Sequence, residues 1–145
     1  PGEDIVVRNP NSIRPYQHVI DCIYGYLLLA ARQYDNKHME GCYNFGPSDS
    51  SILSTGELVD MFCRSWGNDQ KWKSISSDGP HEANFLKLDS SKSKSLLHWS
   101  PKWDIETAVS KTVEWSKAYI LEDNVDRANK IMDNQIREYF DIEGI

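Results

Sequence analysis

No Gly-x-Gly-x-x-Gly follows a strand-like run anywhere in this chain of 145 residues, so it has no dinucleotide fingerprint. Gly-x-x-x-x-Gly-Lys-Ser/Thr is also absent, and so is Tyr-x-x-x-Lys. The four histidines lie far apart and none belongs to His-Glu-x-x-His. Three cysteines, Cys22, Cys42 and Cys63, fit neither an even disulfide framework nor a zinc spacing. Their expected state is the free thiol of a reducing compartment, with Cys22 and Cys63 buried in helices. The longest apolar run, Val19 to Ala31, covers 13 residues. A bilayer-spanning helix needs roughly 20, so no membrane association is expected. No signal-peptide pattern opens the sequence, and a cytoplasmic location is expected. The 16 basic residues are scattered in a chain of net charge −6, which argues against a nucleic-acid partner. On residue chemistry alone this is a binding lobe rather than a complete enzyme.

The chain does have enough apolar residues for one core, 39% hydrophobic and 11% aromatic, which excludes a disordered polymer. The run Val19–Ala31 is apolar nearly all round, the pattern of a buried helix. Only His18, Asp21, Gly25 and Arg32 interrupt it, on one narrow stripe. Ile5–Arg8 reads as a short strand ended by Asn9-Pro10-Asn11, and Cys42–Phe45 as another ended by Gly46-Pro47. Ser54-Thr55-Gly56-Glu57 is a capping box. The helix it opens presents Leu58, Met61, Phe62, Ser65 and Trp66 on one face and stops at Gly67. Trp72–Ile75 and Phe85–Leu88 are extended candidates on either side of a Gly/Pro-containing loop.

Asp89 is placed to cap a short helix through Leu97, and Asp104 a longer one with Ile105, Ala108, Val109, Thr112, Val113, Ser116 and Ile120 inward. A last amphipathic helix aligns Val125, Ala128, Met132, Ile136, Tyr139 and Phe140. The expected class is α/β: mostly helical, with a few short strands.

Arg14, Tyr16, Gln17 and His18 precede the long apolar helix, where the helix dipole and unpaired N–H groups favour an anion. Here the sequence Arg14-Pro15-Tyr16-Gln17-His18-Val19 resembles the C-terminal part of the nucleotide-sugar epimerases and dehydratases, extended members of the short-chain dehydrogenase/reductase group. Tyr43-Asn44-Phe45-Gly46 resembles that family's Asn-x-Gly strand end. Asp89-Ser90-Ser91-Lys92 with Leu97-His98-Trp99-Ser100-Pro101 resembles its Asp-x-Ser-Lys…Leu-Gly-Trp-x-Pro segment. The wording of Arg8–Val19, with Pro80-His81-Glu82-Ala83 and Leu86–Asp89, is most similar to the 4,6-dehydratases of CDP-linked glucose. Residues 1–121 carry the resemblance, and residues 122–145 read as a C-terminal helical extension.

The resemblance implies a substrate-binding C-terminal lobe whose partner, a Rossmann half absent from this chain, binds NAD and carries the catalytic Tyr and Lys. It implies a CDP-sugar substrate and a lyase cycle: oxidation at C4, loss of water across C5 and C6, and return of the hydride to C6. The product would feed dideoxyhexose synthesis for bacterial O-antigen and lipopolysaccharide, and the full-length protein would be a homo-oligomer. Arg14 stands where the family has an arginine on the pyrophosphate; the alternative is a surface Arg–carboxylate pair. Tyr16, Gln17 and His18 are binding candidates with equally good structural roles. Glu82 matches an acid that accepts from ribose hydroxyls. Gly79 replaces a second phosphate-binding arginine, which leaves His81 as the substitute ligand or as a solvated loop residue. Asp89, Lys92, Asn44, Trp99 and Trp103 read as structural. A lobe without its other half would leave an apolar face uncovered.

Overall fold

The structure, a computed structural model, describes residues 3–75 and 85–141. Among the described residues four short strands and five α-helices follow in chain order, with two 3-10 turns at Lys37–Met39 and Asp49–Ser51: β1 Ile5–Val7, β2 Ile13–Pro15, α1 Val19–Asp35, β3 Ile52–Ser54, α2 Thr55–Trp66, β4 Trp72–Ser74, α3 Ser91–Leu97, α4 Ile105–Ile120 and α5 Val125–Tyr139. β1 pairs in parallel with β4, Ile5 opposite Trp72. β2 pairs antiparallel with β3, Arg14 opposite Leu53. On its other side Ile13 forms an isolated parallel bridge with Phe85, and Leu86 N–H donates to Ile13 O at 3.1 Å.

Local chemistry fixes the helix starts. Ser54 accepts from Glu57 N–H while the Glu57 carboxylate accepts from Ser54 N–H, so the capping box closes both ways. Gly67, at φ 69°, ends α2 in the region glycine tolerates best. Asp104 caps α4 by accepting from Thr107 N–H at 2.8 Å. Asp89 accepts from Ser91 N–H at 2.9 Å, so it caps α3 from one position further out than the usual N-cap.

The core has two centres. α4 supplies Ile105, Ala108, Val109 and Val113 to the first, with Leu53 from β3, and α2 packs Leu58, Met61, Phe62 and Trp66 over them. The second is built on Phe45, Leu97 and Trp99, with Tyr24, Leu28, Leu29, Met39 and Tyr43 around it. Phe45 and Trp99 meet edge to face at 5.0 Å, a favoured aromatic geometry. Trp99 is therefore core, as its type predicts.

Four expectations need correction. The helix read as buried all round is largely exposed along its apolar side: Val19, Tyr26 and Leu27 are each about 60% exposed and Ile23 47%. Its inward side is mixed: Ile20, Asp21 and Gly25 are buried, and Tyr24, Leu28 and Leu29 pack on the second core centre, while Arg32 of the polar stripe is exposed. The reason is specific bonding. Asp21 Oδ1 accepts from Lys102 N–H at 2.8 Å and from the Tyr139 hydroxyl at 2.6 Å, and Gly25 leaves room for the Phe45 ring.

Second, Cys42–Phe45 joins no ladder among the described residues. Its backbone is held by side chains instead: Gln17 donates to Phe45 O, Ser93 to Asn44 O and Lys92 to Cys42 O. Third, α5 buries Ala128, Gln135 and Tyr139, not the full apolar row. Val125, Met132 and Ile136 face out. The small Ala128 lets α5 lie close, and Gln135 donates to Lys111 O and Glu114 on α4, each at 3.0 Å. On α4 itself, Ala118 is buried in place of the expected Ile120, which is 64% exposed.

Candidate functional site

The motif Arg14–His18 runs out of β2 and into α1. β2 is held on one edge by β3 and meets Phe85 on the other. Arg14 is half-buried, and its Nη1 donates to the carbonyl of Ile13 at 2.9 Å. Tyr16 turns toward the first core centre, where its hydroxyl shares a hydrogen bond with Thr55 Oγ1 at 2.7 Å. Thr55 also meets Ser12 Oγ at 2.9 Å, so three hydroxyls join the start of α2 to the turn before β2. Nothing in the sequence pattern marks Thr55 or Ser12 for this.

Gln17 is used for structure. Its amide donates to Phe45 O at 2.8 Å and to the Cys22 sulfur. Its Oε1 is buried without a partner among the described residues. Burial raises the Cys22 thiol above its ordinary pKa, and the Gln17 hydrogen bond works against that. All three cysteines are free thiols, but Cys22 and Cys63 are only half-buried rather than buried as expected, and Cys42 is exposed.

His18 caps α1. Its Nδ1 accepts from Ile20 N–H at 3.3 Å, so in the neutral ring Nε2 carries the proton. The ring stands edge-on to Trp103 at 4.8 Å. Burial pushes the His18 pKa below its ordinary value; the Asp21 carboxylate opposes this, and Lys111 adds to it. The ring is therefore biased toward its neutral form, a donor at Nε2.

Tyr16, Gln17 and His18 together line one end of a cavity of about 370 Å³. Ile5, Leu58, Phe62, Ile105, Val109 and Thr112 form most of the remaining wall. Such a wall suits an apolar or planar group with one or two polar atoms at its edge. It does not suit a diphosphate, which needs cationic or N–H donors. Arg14 is not part of that wall. His81 and Glu82 lie outside the described residues. The structure thus brings together three of the six sequence-predicted site residues and places Arg14 on the adjoining strand.

The residues read as structural take those roles. Asn44 donates to Asp89 O at 3.1 Å. Lys92 is exposed and lies 4.0 Å over the Tyr43 ring. Trp103 bridges His18 and Tyr139. Among the described residues no cluster of His, Cys, Asp and Glu is arranged to hold a metal ion, and no helix is long and apolar enough to cross a membrane.

No family model matches the chain. It is 40% identical over 121 residues, 82% of its length, to CDP-glucose 4,6-dehydratase of Salmonella typhimurium, and covers 33% of that protein. The chain thus spans about a third of the length of the curated relative it matches. In fold it is similar to UDP-N-acetylglucosamine 4-epimerase from Bacillus cereus, with a TM-score of 0.58 over 77% of this chain and 37% of that one, at 23% identity. The resemblance carried by the motifs at Arg14, Tyr43, Asp89 and Leu97 therefore extends through most of the sequence, and the chain is similar to the nucleotide-sugar dehydratases and epimerases, matching a third of a CDP-glucose 4,6-dehydratase.

Proposed function

We propose that this chain is the nucleotide-sugar-binding portion of a CDP-glucose 4,6-dehydratase. The observation that carries the reading is the 40% identity over 82% of the chain. The geometry around Arg14 fits it. Arg14 lies on β2, whose edges carry β3 and the segment that resumes at Phe85, only three residues after Glu82 in sequence. In this reading Arg14 binds the diphosphate through its planar fork of donors. Glu82 accepts from the ribose hydroxyls, and His81 supplies the second phosphate contact that Gly79 cannot. Tyr16, Gln17 and His18, which follow Arg14 in sequence, line the apolar cavity.

The chemistry of the whole enzyme would be oxidation of the sugar at C4, loss of water across C5 and C6, and reduction at C6, with NAD as the resident hydride carrier. Among the described residues no glycine-rich turn joins a strand to a helix in the manner that holds a dinucleotide, so no step through NAD is assigned to them. What these residues do is bind and orient the nucleotide. A close alternative keeps the site and changes the sugar nucleotide, and the same measurement separates the two.

Calorimetric titration of the chain with CDP-glucose, UDP-glucose and dTDP-glucose tests the reading. CDP-glucose is expected to bind most tightly, and Arg14→Gln to weaken it by about tenfold or more, as loss of a charge-assisted phosphate contact does. Equal affinity for the three nucleotides would remove the CDP assignment. Equal affinity of wild type and Arg14→Gln for CDP-glucose would remove the role of Arg14.

A further inference from the structure

The C-terminal helix reaches the start of α1 by two routes. Tyr139, the last residue of α5, is 1% exposed and donates its hydroxyl to Asp21 Oδ1 at 2.6 Å. Asp21 lies in the first turn of α1 and is itself fully buried. The Tyr139 ring also meets Trp103 edge-on at 5.2 Å, and Trp103 meets His18 edge-on at 4.8 Å. Lys102 fixes the far side of this arrangement: its N–H donates to Asp21 Oδ1 and its Nζ to Tyr139 O, both at 2.8 Å. Burial, with the bond to Asp21 acting in the same direction, raises the Tyr139 phenol far above its ordinary pKa, so it remains a donor throughout the accessible pH range. The other oxygen of Asp21 is buried with no partner among the described residues. Loss of the Tyr139 hydroxyl would leave Lys102 N–H as the only donor shown to that carboxylate.

We propose that Tyr139 is a positioning residue for the cavity beside the Arg14–His18 motif: its hydroxyl holds the first turn of α1, and its ring, through Trp103, sets the orientation of the His18 imidazole. On this view α5 is part of the binding lobe and not an appendage to it. The coupling stands on the contacts alone; its effect on ligand affinity rests on the nucleotide-sugar reading given above.

The test uses the 145-residue chain with Tyr139→Phe, and Gln135→Ala as a control that loosens α5 from α4 without touching α1. NMR of the histidine ring C–H groups across a pH titration reports on each imidazole separately. Tyr139→Phe is expected to move the His18 resonances and titration midpoint while His38 and His98 stay in place. Gln135→Ala is expected to lower the melting temperature and leave His18 where it is. CDP affinity is expected to fall on the order of fivefold in Tyr139→Phe alone, since a mispositioned wall weakens a contact without deleting it. If Tyr139→Phe melts lower but leaves His18 unmoved, Tyr139 merely fastens α5 and the proposal is overturned. Should Tyr139→Phe fail to fold, Lys102→Met removes the Nζ bond to Tyr139 O while keeping the backbone N–H on Asp21 and the Trp103–His18 contact, and makes the same distinction: displaced His18 resonances support the proposal, unchanged ones overturn it. Absence of CDP binding by the wild type would sink the nucleotide-sugar reading and leave the resonance test intact.

Discussion

Gly25 shows how a missing side chain can organise a core. It sits inside α1, where glycine costs up to about 1 kcal/mol relative to alanine. A Cβ there would stand 2.4 to 2.9 Å from three atoms of the Phe45 ring, closer than carbon atoms pack. Retreat of the Phe45 ring would disturb its edge-to-face contacts with Trp99 and Tyr26. Gly25→Ala is therefore expected to destabilise the chain by about 1–3 kcal/mol, the usual cost of overpacking, despite its better helix propensity. A urea melt checks this, and a variant as stable as wild type would show that Phe45 has room to move. From sequence, Gly25 looked like an interruption on the polar stripe. The motif Tyr43–Gly46 was legible, but nothing in either stretch says that the ring of one fills the gap left by the other.

The helix ends were the most legible features, because capping depends on neighbours in sequence. The Ser54–Glu57 box, the Asp104 cap and the Gly67 stop form as the residue types predict. Strands β2 and β3 were not legible: three residues of each carry no period, and Pro15 argues against one of them. The face of α1 was misread for a different reason. Periodicity shows that one stripe is polar, and only tertiary contacts show whether that stripe is solvated or bonded inside.

The His18 cap at the start of α1 also gives this helix a pH dependence. Its pKa in the folded chain lies below the reference value of 6.5, so below that pH the unfolded chain binds the proton more readily. Stability is then complete above about pH 6.5 and declines as the pH falls toward the folded-state pKa. Chemical denaturation from pH 7.5 to 5 is expected to show that decline. His18→Asn keeps a cap acceptor without the titration and is expected to flatten the slope. An identical slope in the variant would assign the pH dependence elsewhere.

At the scale of the whole molecule, the outward side of α1 has no cover among the described residues. Val19, Ile23, Tyr26 and Leu27 form a continuous exposed row, and Tyr34 extends it at 92% exposure. A contiguous apolar surface of this kind marks an interface. It fits a chain that matches only a third of a longer relative. The chain is expected to self-associate at micromolar to millimolar concentration, with sedimentation velocity showing species larger than 16.7 kDa. The double change Ile23→Gln, Leu27→Gln is expected to restore the monomer with little loss of stability, since both side chains already face out. A wild-type chain that stays monomeric at high concentration would show that this row is tolerated in water.

The bond between Asp21 and Tyr139 joins positions 118 apart. At translation rates of 5–20 residues per second, roughly 6 to 24 s separate their synthesis. Throughout that interval the Asp21 carboxylate lacks the Tyr139 donor and has at most the Lys102 N–H, so the first turn of α1 is incompletely fastened. The Asp21–Tyr139 bond is thus deferred until position 139 has been made, and a nascent chain halted before it would carry the whole Arg14–His18 motif without that bond to secure it.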